Sequence, residues 1–120
     1  AKAMKKLTTR EFYLMVGTQP PQLLDRPSFL AAMDRGFVCR RFALREVFAR
    51  KHGDAGWLVA GAELDIVLGG QPWNGPFLIS AFWRRSIWTG NWILADLSIA
   101  RVDTAERLAQ DVRALQLWKR

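Results

Sequence analysis

The sequence predicts an α+β fold, in which a three-stranded antiparallel sheet is preceded by two or three short helices and followed by a C-terminal helix packed on one face. Apolar residues recur at helical spacing in the first 52 residues, whereas they alternate with other residues from position 57 onward. The three apolar segments of the second half are joined by short connections, which favours sequential antiparallel strands. At 120 residues, half of them hydrophobic, the chain has the size of one domain, and we expect residues 1–120 to form a single one.

A short first helix is predicted over residues 9–16. Thr8 and Glu11 have the spacing of a capping box, and Gly17 is a natural helix stop. The run between them is short and aromatic, so a strand is the alternative. A strand here would extend the sheet to four.

A second helix is predicted to begin at Asp25 or Arg26, with Pro27 in its first turn, because proline is tolerated there. Three residues at helical spacing give it an apolar face: Leu30, Met33 and Phe37. Gly36 is expected to end it.

A third, basic helix is predicted over residues 38–51, ending before Gly53. Six residues form a broad apolar stripe at roughly helical spacing: Val38, Phe42, Leu44, Val47, Phe48 and Ala49. The arginines between them are then left to solvent.

Three strands are predicted after this helix, over 57–68, 77–83 and 92–101. In the first of them every even position is apolar and expected to be buried: Leu58, Ala60, Ala62, Leu64, Ile66 and Leu68. The third strand is expected to bury Ile93, Leu97 and Ile99. The segment 69–76, rich in Gly and Pro, is expected to be a loop. A final amphipathic helix over 104–118 carries Leu108, Val112 and Leu115 as its apolar stripe.

Positive charge is the strongest functional signal in the sequence. Lys and Arg number 18 against 11 Asp and Glu, which gives a formal net charge of +7. The excess is concentrated before residue 52 and again at Arg84 and Arg85. Such a balance favours a polyanionic partner, either nucleic acid, DNA or RNA, or an acidic protein.

Nucleic-acid binding is the function that the sequence favours. Helices followed by a hairpin have the order of a winged helix-turn-helix, in which the 38–51 helix would enter the major groove and the 69–76 loop would be the wing. The segment 82–88 interleaves aromatic and basic residues, as surfaces for single strands do. We therefore predict a small, basic, non-catalytic binding domain in a regulatory or accessory role. Its predicted contact residues are Arg40, Arg41, Arg45, Arg50, Arg84 and Arg85.

Protein binding is the first alternative. Six tryptophans in 120 residues are many for one small core, so at least one, Trp73 or Trp88, is expected to be exposed. Trp and Arg are the residue types that dominate protein interfaces. The chain would then be an inhibitor or adaptor that engages an acidic partner surface.

A metal-dependent nuclease is the second alternative. Glu63 and Asp65 share one face of a predicted strand, and Asp96 lies on another strand, so the three could converge on Mg²⁺. No Lys or His accompanies them on the strands as a general base, and pairing with Arg84 and Arg101 is the simpler interpretation.

Other classes of protein are disfavoured by the sequence. A single cysteine, Cys39, excludes an internal disulfide and multi-cysteine metal sites. It lies 13 residues from the only histidine, His52, at the opposite end of one predicted helix. No apolar run is long enough to span a membrane, and no nucleotide-binding or hydrolase motif occurs. We expect no catalytic residues, no metal, no cofactor, no membrane partner and a cytoplasmic location; a homodimer is compatible with the apolar content.

Overall fold

One mixed β-sheet contains most of the chain, of which the computed structural model describes residues 2–68, 70–102 and 106–116. Its six strands, in the order β2-β1-β6-β5-β4-β3, are β1 (Thr8–Val16), β2 (Gln22–Asp25), β3 (Val38–His52), β4 (Ala55–Leu68), β5 (Gln71–Arg85) and β6 (Trp92–Arg101). Three helices are described: α1 (Lys2–Leu7), α2 (Arg26–Asp34) and α3 (Glu106–Leu115). Strands β1 and β6 are parallel, and all other neighbours are antiparallel. The predicted three-stranded sheet preceded by helices is therefore wrong.

The sheet has two faces of different character. Phe12, Leu14 and Val16 point to the face that α2 covers, which we call the core face, and all three are buried. Tyr13 and Met15 point to the opposite, open face and are about half exposed. The core face continues across β4, where the even positions from Ala60 to Ile66 are buried as predicted. On β6 the buried side chain is Leu94 rather than the predicted Ile93, because a bulge shifts the register beside it, while Leu97 and Ile99 pack at the margin of the core.

Residues 38–51 form most of an edge strand, β3, so the predicted basic helix is wrong. Two irregularities produced the misleading spacing: the pairing with β4 shifts between Cys39 and Arg41, and again between Arg45 and Phe48. Glu46 has a positive φ of 49° within the second shift. Each β-bulge inserts an extra residue and resets the alternation of faces. Apolar residues of a bulged strand therefore recur at intervals that resemble those of a helix.

Residues 9–16 form a strand rather than the predicted helix, and the alternative interpretation holds. The buried residues of β1 alternate toward its end, as in a strand that has one covered face. Strand β1 pairs in parallel with β6, and Tyr13 of β1 is the register partner of Asp96. The sequence does not predict this parallel pairing between the first strand and the last.

The predicted loop 69–76 is wrong, because β5 already begins at Gln71 and pairs with β4 from Leu68 back to Ala55. Pro72 and Pro76 are tolerated in this strand because its pairing with β6 begins only at Phe77. Residues 71–75 therefore pair on one side alone, and on the second side Pro76 only accepts, through its carbonyl, from the Val102 N–H. Proline is accepted at such positions because no neighbouring strand needs its missing N–H. The strands predicted at 57–68 and 92–101 are confirmed.

Helix α2 is confirmed, and Asp25 caps it. The Asp25 side chain accepts a hydrogen bond of 2.9 Å from the Ser28 backbone N–H, and Pro27 occupies the first turn. Phe29 is buried against Phe12, with ring centroids 4.8 Å apart. The cap thus fixes where α2 begins, and the aromatic pair anchors the helix to β1.

Removing the cap is expected to lower the melting temperature. Hydrogen bonds from the Ser28 hydroxyl and backbone N–H hold the pKa of Asp25 below its ordinary value. A carboxylate whose pKa is lower in the folded state stabilises the fold above its unfolded-state pKa, and this contribution disappears as the pH falls through the folded-state pKa. Thermal melts of Asp25→Ala should therefore differ from the unmodified chain most at neutral pH and least in acid.

The matched control is Asp25→Asn, because asparagine is an equally good N-cap without the charge. It should retain most of the melting temperature and lose the pH dependence. An Asp25→Ala deficit that grows toward acid would contradict the assignment.

The described part of the C-terminal helix does not pack on the sheet as predicted. Val112 is 44% exposed and Leu115 is 78% exposed. The ends of the predicted helix at 104–105 and 117–118 lie outside the described residues. No described helix is long and apolar enough to cross a membrane.

Candidate functional site

Four of the six predicted contact arginines, Arg40, Arg41, Arg45 and Arg50, lie along β3 rather than on one helix face. At about 3.3 Å per residue, they extend along much of the edge of the sheet and form no compact patch. Carboxylates accompany two of them. Arg45 Nη2 lies 3.5 Å from Glu63 Oε1, and Arg41 is the register partner of Asp65.

The other two predicted arginines end β5 and diverge. Arg84 Nη2 lies 3.7 Å from Glu11 Oε2, on the open face. The Arg85 guanidinium instead lies over the Trp92 ring, 5.8 Å from its centroid. The six arginines are therefore not brought together by the fold.

The three carboxylates considered for a metal site are also separated. Glu63 and Asp65 share a face of β4, but the β5 partners of Glu63 and Asp96 are Pro76 and Phe82, six residues apart. That spacing corresponds to about 20 Å along a strand. Within the described residues no three His, Cys, Asp or Glu side chains are grouped as a metal site would need.

The two tryptophans chosen as exposed partner contacts differ. Trp73 is half-buried and packs edge-to-face on Phe77, with centroids 4.7 Å apart at 88°. Trp88, in the turn between β5 and β6, is 90% exposed. The expectation that one of them is exposed is thus met by Trp88 alone.

A shallow cavity of about 490 Å³, widely open to solvent, lies at one end of the sheet, where the β3–β4 hairpin approaches the ends of β5 and β6. Its walls include two tryptophans, Trp83 and Trp92, and its rim carries Arg50 and Lys51. No Asp or Glu is among the described residues that line it. The cavity is therefore aromatic in its walls and positive at its rim.

Trp92 is the centre of this cavity. Lys51 Nζ lies 5.8 Å from its ring centroid, as does the Arg85 guanidinium. Both distances are within the range of cation–π attraction. An added Cβ at Gly56 would lie only 3.2 Å from the Arg50 carbonyl oxygen on the neighbouring strand, and in ordinary contact with Trp92 Cζ3 at 3.8 Å.

Sequence reasoning missed this cavity. Of the residues around it, the sequence predicts Arg50 and Arg85 as contacts, but not Lys51, Trp83 or Trp92. The available signal was the spacing of the tryptophans around the β5–β6 turn, since Arg85 and Trp92 are register partners in that hairpin. The sequence could not place Lys51 beside Trp92, because it predicts residues 38–51 as a helix and not as strand β3.

A second and larger depression, of about 750 Å³, crosses the open face beside Tyr13, Met15, Trp57 and Phe82. Two serine hydroxyls in its lining share one hydrogen bond, since Ser80 Oγ and Ser98 Oγ are 2.6 Å apart. Among the described residues that line it, Asp96 alone is charged, and it is exposed. This depression offers apolar area but few groups that would orient a small molecule.

Comparisons with known proteins show a structural likeness. No protein-family model matches the chain, and no curated protein matches it. An NTF2-like protein from Cytophaga hutchinsonii is 13% identical, with a TM-score of 0.74 over 84% of this chain and 81% of that one. An NTF2-like protein of unknown function in nutrient uptake from Rhodospirillum rubrum is 16% identical, with a TM-score of 0.75 over 85% and 84%. An NTF2-like protein of unknown function from Prochlorococcus is 13% identical, with a TM-score of 0.69 over 88% and 81%.

These findings overturn the predicted nucleic-acid function. The recognition helix does not exist, since residues 38–51 belong to edge strand β3, and the wing is part of β5. The structural neighbours are described as NTF2-like proteins, and none of those named above is described as binding nucleic acid. At 13–16% identity the likeness shows the architecture alone: this chain has an NTF2-like fold.

Proposed function

We propose that the chain is a binding domain for a small, planar organic anion, held between Trp83 and Trp92. The observation that carries the proposal is the pair of cations, Lys51 and Arg85, each 5.8 Å from one tryptophan ring that faces a cavity. A flat apolar ligand would lie against the indoles, and its anionic group would reach the Lys51 ammonium.

The size and chemistry of the cavity support a small ligand. Its volume of about 490 Å³ is within the range of sites for small organic molecules. Indole rings supply a large apolar contact area and prefer stacked or edge-on rings. A positive rim without a lining carboxylate favours a negatively charged group over a neutral one.

Binding is better supported than catalysis. Among the side chains that the structure describes, no Asp or Glu is buried. Carboxyl groups that act as general acids or bases are typically tuned by burial. A cytoplasmic location stays a prediction.

The proposal is tested by calorimetric titration with naphthalene-2-carboxylate and with the neutral, isosteric naphthalene-2-carboxamide. We expect the carboxylate to bind about tenfold more tightly, because a charge-assisted contact is worth more than a neutral one. Lys51→Gln should remove most of that difference, and Trp92→Leu should weaken both ligands.

Two variants outside the cavity are the controls. Lys6→Gln removes an exposed cation from α1, and Trp88→Leu removes an exposed tryptophan from the β5–β6 turn. Neither should change the affinity. Equal losses for Trp88→Leu and Trp92→Leu, or the same affinity for carboxylate and carboxamide, would contradict the proposal.

A further inference from the structure

The turn between β5 and β6 presents two large apolar side chains to solvent. Ile87 is 85% exposed and Trp88 is 90% exposed, more than any other large apolar side chain that the structure describes. The two are neighbours in sequence, and they lie beyond the last register pair of the hairpin, Arg85 with Trp92. Transferring this apolar tip out of water would stabilise any complex that covers it.

The turn is held in shape by its own hydrogen bonds. Ser86 Oγ accepts from the backbone N–H groups of Trp88 and Thr89, at 3.2 and 3.4 Å. The Gly90 N–H donates to the Ser86 carbonyl at 2.9 Å, and the Asn91 N–H donates to Thr89 Oγ1 at 3.2 Å. These backbone donors are satisfied within the turn, so the tip can leave water without stranding them. The two apolar side chains are therefore presented on an ordered turn.

Cations surround the base of this turn, because several strand ends meet there. Arg84 and Arg85 end β5, and Arg50 and Lys51 lie near the end of β3. The Arg85 backbone N–H donates to the Asp54 carbonyl at 2.8 Å, which holds the β3–β4 turn beside the tip. Strand β1 begins at the same end of the sheet, because it runs parallel to β6.

Helix α1 adds positive charge to this end of the sheet. It ends at Leu7, directly before β1, and lies against β6. Its three lysines, Lys2, Lys5 and Lys6, are exposed, and the Arg26 guanidinium donates to the Lys5 carbonyl at 2.7 Å. Neighbouring strands are about 4.8 Å apart, so the cations from α1 to β3 extend over about 20 Å.

Positive charge predominates at this end of the sheet. Two carboxylates lie among the cations: Asp54 in the β3–β4 turn and Glu11, whose Oε2 is 3.7 Å from Arg84 Nη2. The exposed lysines and arginines named above outnumber them. An apolar tip behind which basic side chains spread is the arrangement that binds an anionic bilayer. Tryptophan favours the level of the headgroups, an aliphatic side chain enters the acyl boundary, and cations meet the acidic lipids.

A flat, deformable partner suits this end of the sheet better than a folded protein does. The tip is convex, so a protein partner would need a matching pocket, whereas a bilayer admits the tip anywhere on its surface. The cations come from separate elements, and a planar anionic surface meets them together. We therefore infer that this end of the chain docks on a membrane surface that contains acidic phospholipids, with Ile87 and Trp88 inserted among the headgroups.

The docking surface is independent of the proposed ligand, because Trp88 lies outside the cavity. The sequence predicts no membrane partner, but contact with a membrane surface needs no spanning segment. Trp88→Leu therefore separates the two proposals, since it should weaken membrane binding and leave the affinity for naphthalene-2-carboxylate unchanged.

The test is co-sedimentation with sucrose-loaded vesicles of phosphatidylcholine, either alone or with about 30% phosphatidylserine. At about 0.1 M salt, we expect the chain to bind the acidic vesicles at least about tenfold more tightly than the neutral ones, because the lysines and arginines are attracted to the anionic lipids. The double variant Ile87→Ser/Trp88→Ser should weaken binding to the acidic vesicles at least about tenfold, because the apolar tip is lost. Lys5→Gln/Lys6→Gln should weaken it several-fold.

Variants elsewhere on β3 are the matched controls. Phe42→Ser removes a phenylalanine that is 65% exposed, and Arg40→Gln/Arg41→Gln removes two cations toward the other end of that strand. Each should affect vesicle binding far less than its counterpart at the proposed surface, and circular dichroism checks that all variants are folded.

Three results would overturn the inference. Absence of binding to the acidic vesicles would leave the tip to a protein partner. Unchanged binding of the Ile87→Ser/Trp88→Ser variant would mean that the tip does not insert. Equal losses for the Lys5/Lys6 and Arg40/Arg41 pairs would mean that net charge alone attracts the chain to the vesicles.

Discussion

Replacing Phe77 with alanine is expected to lower the free energy of unfolding by about 3–5 kcal/mol. Phe77 is 1% exposed and contacts Trp73 edge-to-face. It belongs to the cluster formed by Ala62, Leu64 and Ile66 on β4. Truncation removes the transfer energy of the ring and leaves a cavity that the rigid strands on both sides cannot fill. Urea unfolding, followed by far-ultraviolet circular dichroism, measures the loss.

Phe42→Ala is the control for this prediction, because Phe42 is a phenylalanine of the same sheet that is largely exposed. Its loss should cost less than about 1 kcal/mol, as most surface substitutions do. Equal costs for the two variants would mean that Phe77 does not lie in the core. It would also mean that β5 does not continue unbroken through Phe77, where its pairing with β6 begins.

Adding one methyl group at Gly17 is expected to destabilise the fold by about 1–3 kcal/mol, the usual cost of overpacking. A Cβ at Gly17 would lie 2.5 Å from Ala100 Cβ and 3.2 Å from Ala100 Cα. The Gly17 N–H donates to the Ile99 carbonyl at 2.8 Å, so the two strands cannot separate without losing this hydrogen bond. Gly17→Ala thus tests whether β1 lies against β6 in the parallel register.

The same contact allows a rescue. In an Ala100→Gly background the Cβ–Cβ clash is absent, so Gly17→Ala should cost clearly less there than in the unmodified chain. A double-mutant cycle on the free energies of unfolding isolates this coupling. Additive costs would contradict the parallel pairing of β1 with β6.

Strands with a regular alternation could be predicted from the sequence. Residues 57–68 show period-two patterning, and β4 occupies this position. Helix α2 could be predicted as well, because Asp25 and Pro27 are local signals that act within one turn. In each case the information lies within a few neighbouring residues.

Edge strand β3 could not be predicted in the same way. Its pairing shifts twice, and Glu46 takes a positive φ, so the apolar residues depart from period two. Nothing local marks a bulge when the residue in it is not glycine. Every residue of β3 is exposed because the strand lies at the edge of the sheet. Its sequence therefore lacks the alternation of buried and exposed residues by which a strand is predicted.

The candidate site required long-range information. Lys51, Trp83 and Trp92 come from three strands and meet only because the β3–β4 hairpin approaches the ends of β5 and β6. The aromatic and basic pattern of residues 82–88 predicts Arg85, which does contact Trp92. Charge also predicts Arg40 and Arg41, which lie toward the other end of β3, where Cys39 pairs with Ile66 and Arg41 with Asp65. Net charge predicts an anionic partner but does not locate the surface that binds it.

The most direct test of the proposed binding cavity is the behaviour of the tryptophan indole N–H resonances during titration with naphthalene-2-carboxylate. These resonances can be assigned with single Trp→Phe variants and followed in two-dimensional nitrogen–proton spectra. We expect Trp83 and Trp92 to shift together and to saturate, while exposed Trp88 and core Trp73 stay in place. Shifts confined to Trp88, or no saturable shift at Trp83 and Trp92, would contradict binding in this cavity.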